Sequence, residues 1–175
     1  MLRRVVLASL LLTACRESLE TEPDARQRDA AVDAGPSPSC LEAQTHADLA
    51  FIEDKIFKPA CVFSSCHDGT GTGAGEMNLK EFMSHAELVD VDAQTDSMAT
   101  PSGDYKLVVP NQPRQSYLMF MIRHYQGDEM MPPAGQPHGD VGFMPQDDSG
   151  ELPPLCVEKR EAIVRWIEAG APVRM

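Results

Sequence analysis

Aromatic residues are scarce in this 175-residue chain, which contains one tryptophan, three tyrosines and six phenylalanines. Basic residues are also few, since 15 lysines and arginines stand against 27 acidic residues and leave a net charge of −12. A chain without a basic stripe is a poor candidate for binding nucleic acid or an anionic lipid surface. A protein partner that docks on it should therefore be basic, or should use an uncharged patch.

Other absences exclude further classes of protein. The sequence shows no internal repeat, and no apolar run beyond residue 12 is long enough to cross a bilayer. The glycine-rich stretch at 68–76 lacks the GK[ST] of a phosphate-binding loop and follows no predicted strand. The acidic residues of 145–151 are not in EF-hand register, and no second C-x-x-C or H-x-x-x-H completes a zinc site.

The N-terminus predicts an exported protein. Two arginines precede a short apolar run at 5–12, a length typical of signal peptides, and the run ends in "LTAC" at 12–15. This ending resembles the bacterial lipobox, which implies a signal peptide at 1–14 and lipidation of Cys15. Residues 15–39 are rich in charge, alanine, proline and serine, and predict a disordered tether. The folded domain is then predicted at 40–175, anchored by lipid in a bacterial cell envelope, facing the periplasm or in the outer membrane.

Helical patterns dominate the predicted domain. Helices are expected at 45–59 with Thr45 as N-cap, at 79–90, at 111–127 and from 155 to Gly170. A strand is expected only at 106–109. The loops rich in glycine and proline at 68–76 and 130–154 are long for a compact domain unless they wrap something. The pattern predicts a small, mostly α domain with long connections.

The cysteines leave two solutions open. With Cys15 lipidated, four remain in an oxidising compartment, where each thiol is expected to be bonded: Cys40, Cys61, Cys66 and Cys156. The motif at 61–67 reads C-x₄-C-H, two residues longer than the C-x-x-C-H of c-type haem attachment. Either Cys61 and Cys66 hold a haem while Cys40 pairs with Cys156, or the four cysteines form two disulfides.

Five segments in a fixed order carry a family resemblance. They are "IEDKIFKPACVFSSCH" at 52–67, "VVPNQPRQSYLMFMI" at 108–122, "MMPP" at 130–133, "FMPQ" at 143–146 and "AIVRWIEAGA" at 162–171. Over about residues 45 to 172 the chain resembles the mono-haem class I c-type cytochrome domains of bacterial lipoproteins and secreted proteins. The resemblance implies a cytochrome c-like helical domain whose long loops wrap a haem and whose N- and C-terminal helices cross near Ile52 and Trp166. A buried porphyrin would supply apolar surface that the few aromatic residues do not.

The same resemblance implies a site and a function. Cys61 and Cys66 would form the thioethers of one covalent haem c, and His67 would be the proximal iron ligand. Met144 is the preferred distal ligand and Met131 the alternative. The protein would be an electron carrier for redox partner proteins, not an enzyme, with peroxidase-like activity only if the sixth iron position were open. The alternative is a haem-free binding or structural lipoprotein stapled by Cys61–Cys66 and Cys40–Cys156 disulfides.

Overall fold

The computed structural model describes residues 36–62, 66–70, 76–93, 105–134, 142–147 and 150–174, all within one compact unit, Pro36–Met175. The predicted signal peptide at 1–14, the lipidated Cys15 and the tether as far as residue 35 lie outside the described residues. Within the described ranges, no helix combines the length and the apolar character needed to cross a membrane.

Two helical segments open the domain. Helix α1, Pro38–Ala43, begins after Ser37, whose hydroxyl accepts a hydrogen bond from the Cys40 amide. Helix α2, Leu49–Ile52, continues through a π-helical stretch, Glu53–Phe57, into a single last turn, α3, Lys58–Ala60. The predicted N-cap Thr45 is wrong, because Asp48 holds that position and its Oδ1 accepts from the Phe51 amide at 2.8 Å.

The middle helices are shorter than predicted. Helix α4 spans Ser84–Leu88, a 3₁₀ turn Pro113–Gln115 precedes helix α5, Tyr117–Met121, and a second 3₁₀ turn spans Gly127–Glu129. The predicted continuous helix at 111–127 is wrong because Asn111 and Arg123 adopt φ values of 63° and 59°. A left-handed residue cannot continue a right-handed helix, and the apolar periodicity used to predict the helix does not reveal such positions.

Extended structure is minor in the described ranges. The predicted strand at 106–109 is absent as a strand: Lys106 forms isolated bridges with Asp92 and Ser116, and Val108 forms one with Val89. A two-residue hairpin pairs strands β1, Gln146–Asp147, and β2, Gly150–Glu151, with Gln146 opposite Glu151. The prediction of a small, mostly helical domain is confirmed.

The C-terminal helix α6, Val157–Glu168, organises the core. It ends where Gly170 takes a φ of +92°, a conformation that costs glycine least. Helix α6 packs against α1 and α2, and fully buried side chains from both ends of the domain share one cluster, including Ile52, Ile56 and Trp166. Each such side chain contributes about 1.5–3 kcal/mol through burial. The guanidinium of Arg165 also donates to the Ala43 carbonyl at 2.6 Å, which fixes α1 to α6.

Candidate functional site

The backbone around Cys61 and His67 forms a closed loop at the end of α3. The Cys61 amide donates to the Phe57 carbonyl at 2.7 Å, so the cysteine sits directly on the helix end. The His67 amide then donates to the Cys61 carbonyl at 2.9 Å, across six positions of the chain. On its other side, the His67 carbonyl accepts from the Leu79 amide at 2.9 Å. The structure therefore holds the backbones of Cys61 and His67 together and ties both to the core.

Both sulfurs of the motif are free thiols, and both residues are partly buried. Burial raises the pKa of Cys61 to about 12, and the neighbouring Cys66 adds a smaller effect in the same direction. Cys61 is thus a neutral thiol at physiological pH. It packs against the main core together with the partly buried apolar side chains of Val62, Met77 and Leu155.

The residues after His67 form a tight turn that the sequence did not reveal. Asp68 forms an isolated bridge with Asn78, and its carboxylate accepts from the hydroxyl and the amide of Thr70 at 2.7 and 3.0 Å. These two hydrogen bonds lower the pKa of Asp68. Gly69 has a φ of +75°, and a Cβ there would lie 2.8 Å from Asn78 Nδ2. The close approach of Gly69 and Asn78 fixes the chain direction on leaving His67.

The structure pairs Cys40 with Cys156 in a disulfide whose Cα atoms are 6.3 Å apart. The bond joins α1 to the residue that precedes α6. It forms part of the lining of a cleft of about 430 Å³, within the size range of small-molecule and cofactor sites. Pro59 and Ala60, just before Cys61, line the cleft together with Pro145, just after Met144.

The two candidate methionine ligands occupy different places. The Met144 amide donates to the Met121 carbonyl at 2.9 Å, at the end of α5. The Met131 amide donates to the Arg114 carbonyl at 2.9 Å, and its side chain is 60% exposed. Met131 lines a second cleft together with Glu168, which lies at the end of α6. Lys159, near the start of α6, lines the first cleft together with Ala60 and Pro145. Lys159 and Glu168 are nine positions apart along α6, a distance of about 14 Å.

Three further histidines among the described residues have partners within the fold. His46 stacks on Phe51 at 3.9 Å between ring centroids, and its Nδ1 hydrogen-bonds Asp48 at 2.9 Å. His85 Nε2 lies 3.0 Å from the Ala171 carbonyl. His124 is partly buried, and desolvation lowers its pKa despite Glu161 at 3.8 Å.

Sequence reasoning also missed a buried carboxylate near the site. Glu53, in the π-helical stretch, accepts from the Ser84 hydroxyl at 2.6 Å and the Phe82 amide at 3.1 Å, and pairs with Arg174 at 3.4 Å. These contacts connect the helix that ends at Cys61 to the loop after Leu79. No pattern in the sequence distinguishes this glutamate from the surface ones around it.

Comparison with known families gives one match. The sequence model of the family described as Planctomycete cytochrome C matches residues 84–135, less than a third of the chain. The matched segment contains α4, α5 and Met131, and lies outside the C-x₄-C-H motif and Met144. No curated protein matches the chain. No solved structure matches it either. The family match supports a cytochrome c-like domain and, with it, haem binding.

The residues present fit a covalently attached haem. Two free thiols and a histidine follow the helix end in the order that c-type attachment requires, and a backbone hydrogen bond closes the loop between them. Cys61 packs against an apolar core surface, which suits a porphyrin face. The Cys40–Cys156 disulfide is compatible with both solutions of the cysteine pattern, with or without haem.

Proposed function

We propose that this protein is an extracytoplasmic electron carrier with one haem c attached through Cys61 and Cys66, and that His67 binds the iron. The observation that carries the proposal is the 2.9 Å hydrogen bond from the His67 amide to the Cys61 carbonyl. It brings the histidine beside two free thiols despite the two additional residues of the motif. The cytochrome match at 84–135 supports the coarser part of the proposal, a cytochrome c-like domain that binds haem, from a separate part of the chain.

Met144 is the distal ligand in this proposal. Its neighbour Pro145 lines the same cleft as Ala60, the residue before Cys61, whereas Met131 lines a cleft at the opposite end of α6. The alternative, Met131, is favoured by its position inside the segment that matches the cytochrome family. We prefer Met144 because the ligand must reach the cofactor that Cys61 holds.

Bound haem supplies an iron that exchanges one electron between its ferric and ferrous states. The chain would tune that exchange through its own groups. A methionine thioether is a soft, neutral ligand that favours the ferrous state and so raises the reduction potential. The apolar core beside Cys61 would keep water from one edge of the site. The sixth position would be filled by methionine, which makes the protein an electron carrier and not an enzyme.

The charge and the N-terminus of the protein support a type of redox partner and a location. A net charge of −12 favours redox partners with a basic or uncharged docking patch. The lipobox-like "LTAC" at 12–15 supports a location in a bacterial envelope, with Cys15 as the lipid anchor. Contact with the membrane would be through this anchor.

The test is a haem stain and a reduced-minus-oxidised spectrum of the protein expressed with a cytochrome maturation system. Covalent haem with a low-spin spectrum is expected in the wild type. His67→Ala should abolish low-spin coordination, whereas the control His85→Ala should keep it, since His85 contacts a backbone carbonyl. Absence of covalent haem in the wild type, or a mapped peptide linking Cys61 to Cys66, would reject the proposal in favour of a haem-free, disulfide-stapled lipoprotein.

A further inference from the structure

A short segment rich in proline connects the Met144 loop to the Cys40–Cys156 disulfide. We call Leu152–Cys156 the proline strap; its sequence is Leu-Pro-Pro-Leu-Cys. All five residues of the strap line the cleft that Ala60 and Pro145 also line. The strap therefore lines the cleft together with the end of the helix that precedes Cys61.

The strap is bonded to the methionine loop at its first residue. The Leu152 amide donates to the Pro145 carbonyl at 3.0 Å, so the bond is one residue from Met144. The short hairpin of β1 and β2 lies between the two bonded residues and closes the loop. On its other side, the Met144 amide donates to Met121 at 2.9 Å. The backbone of Met144 is thus held between α5 and the strap.

The other end of the strap is bonded covalently. Cys156 immediately precedes α6 and is joined to Cys40, which is almost fully buried in α1. Helix α1 is itself fixed to α6 by the hydrogen bond from Arg165 to Ala43. Between the two attachments, Pro153 and Pro154 have restricted φ angles, which makes a short connection stiff. A stiff segment with both ends fixed transmits the position of the disulfide to the loop.

We propose that the Cys40–Cys156 disulfide, acting through the proline strap, holds Met144 beside the cleft that Ala60, the residue before Cys61, also lines. The disulfide is then a positioning group for the distal ligand as well as a staple of the fold. This inference rests on the proposed function, because Met144 has a cofactor to reach only if Cys61 and Cys66 carry haem. Its mechanical part, the coupling of the disulfide to the methionine loop, is independent of the haem.

The experiment compares four proteins loaded with haem: the wild type, Cys40→Ala/Cys156→Ala, Leu152→Pro and Leu88→Ala. The double variant removes the disulfide without leaving a thiol, and Leu152→Pro removes the amide hydrogen that bonds Pro145 but keeps the disulfide. Leu88 is fully buried and does not line the cleft, so its truncation controls for general destabilisation. Two readouts are recorded: the charge-transfer band between methionine sulfur and ferric iron, and hydrogen exchange in peptides covering 142–152.

We expect the double variant and Leu152→Pro to lose the methionine band and to exchange about tenfold faster at 142–152, while covalent haem is retained. Leu88→Ala should keep the band. Unchanged exchange and an unchanged band in the double variant would overturn the inference, and so would equal loss of the band in Leu88→Ala. If the wild type carries no haem, the proposed function fails, yet exchange at 142–152 still tests the coupling.

Discussion

The amide of His67 and the carbonyl of Cys61 form a 2.9 Å hydrogen bond across the whole C-x₄-C-H motif. The backbone of the histidine is therefore held at the helix end by a backbone hydrogen bond. The following contact, from the Leu79 amide to the His67 carbonyl, extends this arrangement into the core. A motif two residues longer than C-x-x-C-H can in this way bring the backbones of its first cysteine and its histidine together.

Gly69→Ala should disturb this arrangement more than an ordinary glycine substitution. At Gly69 the φ of +75° and a Cβ only 2.8 Å from Asn78 both oppose a side chain. Gly170→Ala is a matched control, since its φ is +92° but its Cβ would lie 3.6 Å from Asn111. We expect Gly170→Ala to lower the free energy of unfolding by about 1 kcal/mol through backbone strain. Gly69→Ala should lower it by about 2–3 kcal/mol, since steric overlap is added.

Urea denaturation of both variants measures the difference, and the low-spin haem spectrum reports on His67 directly. Only Gly69→Ala should weaken that spectrum. Equal losses of stability with intact spectra would show that the Gly69–Asn78 contact does not position the histidine.

Glu53→Ala should destabilise the domain strongly, because it removes the acceptor of two hydrogen bonds from a buried position. Its carboxylate is fully buried and accepts from Ser84 and Phe82. Leaving these donors unsatisfied is expected to cost about 2–3 kcal/mol. Glu81 pairs with the same Arg174 but is 55% exposed, so Glu81→Ala should change stability by less than about 0.5 kcal/mol. Thermal and urea unfolding of the two variants compare the buried and the exposed carboxylate, and similar effects would contradict the anchoring role of Glu53.

The sequence predicted some parts of this molecule because they depend on local patterns. The apolar period of α6 and the glycine at its end predicted the last helix. The number of cysteines left the Cys40–Cys156 pair among the possible disulfides. The continuous helix predicted at 111–127 was wrong because Asn111 and Arg123 adopt positive φ values, which apolar periodicity does not predict. The Leu152–Pro145 hydrogen bond was missed for a related reason. A backbone hydrogen bond within a loop leaves no mark on side-chain periodicity.

The high pKa of Cys61 predicts how slowly its thiol reacts in the folded, haem-free protein. With a pKa of about 12, the thiol is ionised at pH 8 in about one molecule in ten thousand. Since the thiolate is the reactive form, alkylation of Cys61 in the folded, haem-free protein should be very slow, and unfolding should accelerate it. Mass spectrometry after a timed alkylation measures this rate. Rapid labelling of Cys61 in the native state would contradict the burial.

The same shift predicts how stability depends on pH. In the unfolded chain the Cys61 thiol loses its proton near pH 9, whereas in the folded chain it keeps the proton up to about pH 12. Between these values the unfolded state binds fewer protons, so the free energy of unfolding of the haem-free protein should fall as pH rises. Cys61→Ala should flatten this fall, and a thioether at Cys61 should do the same. Urea titrations at pH 8 and pH 10 measure the fall in the free energy of unfolding for the haem-free protein, for Cys61→Ala and for the protein with a thioether at Cys61. An equal fall in all three proteins would contradict the prediction.

Substitution of each methionine in turn tests which of the two is the distal ligand. Met144→Ala should remove the methionine-to-iron charge-transfer band, lower the reduction potential and open the sixth position to external ligands. Met131→Ala is the matched control, because it is also followed by proline but lines the cleft near Glu168, about 14 Å along α6 from the cleft of Pro145. It should keep both the band and the potential. The ferric spectrum and a potentiometric titration measure these effects, and the reverse pattern would assign the ligand to Met131, inside the segment that matches the cytochrome family.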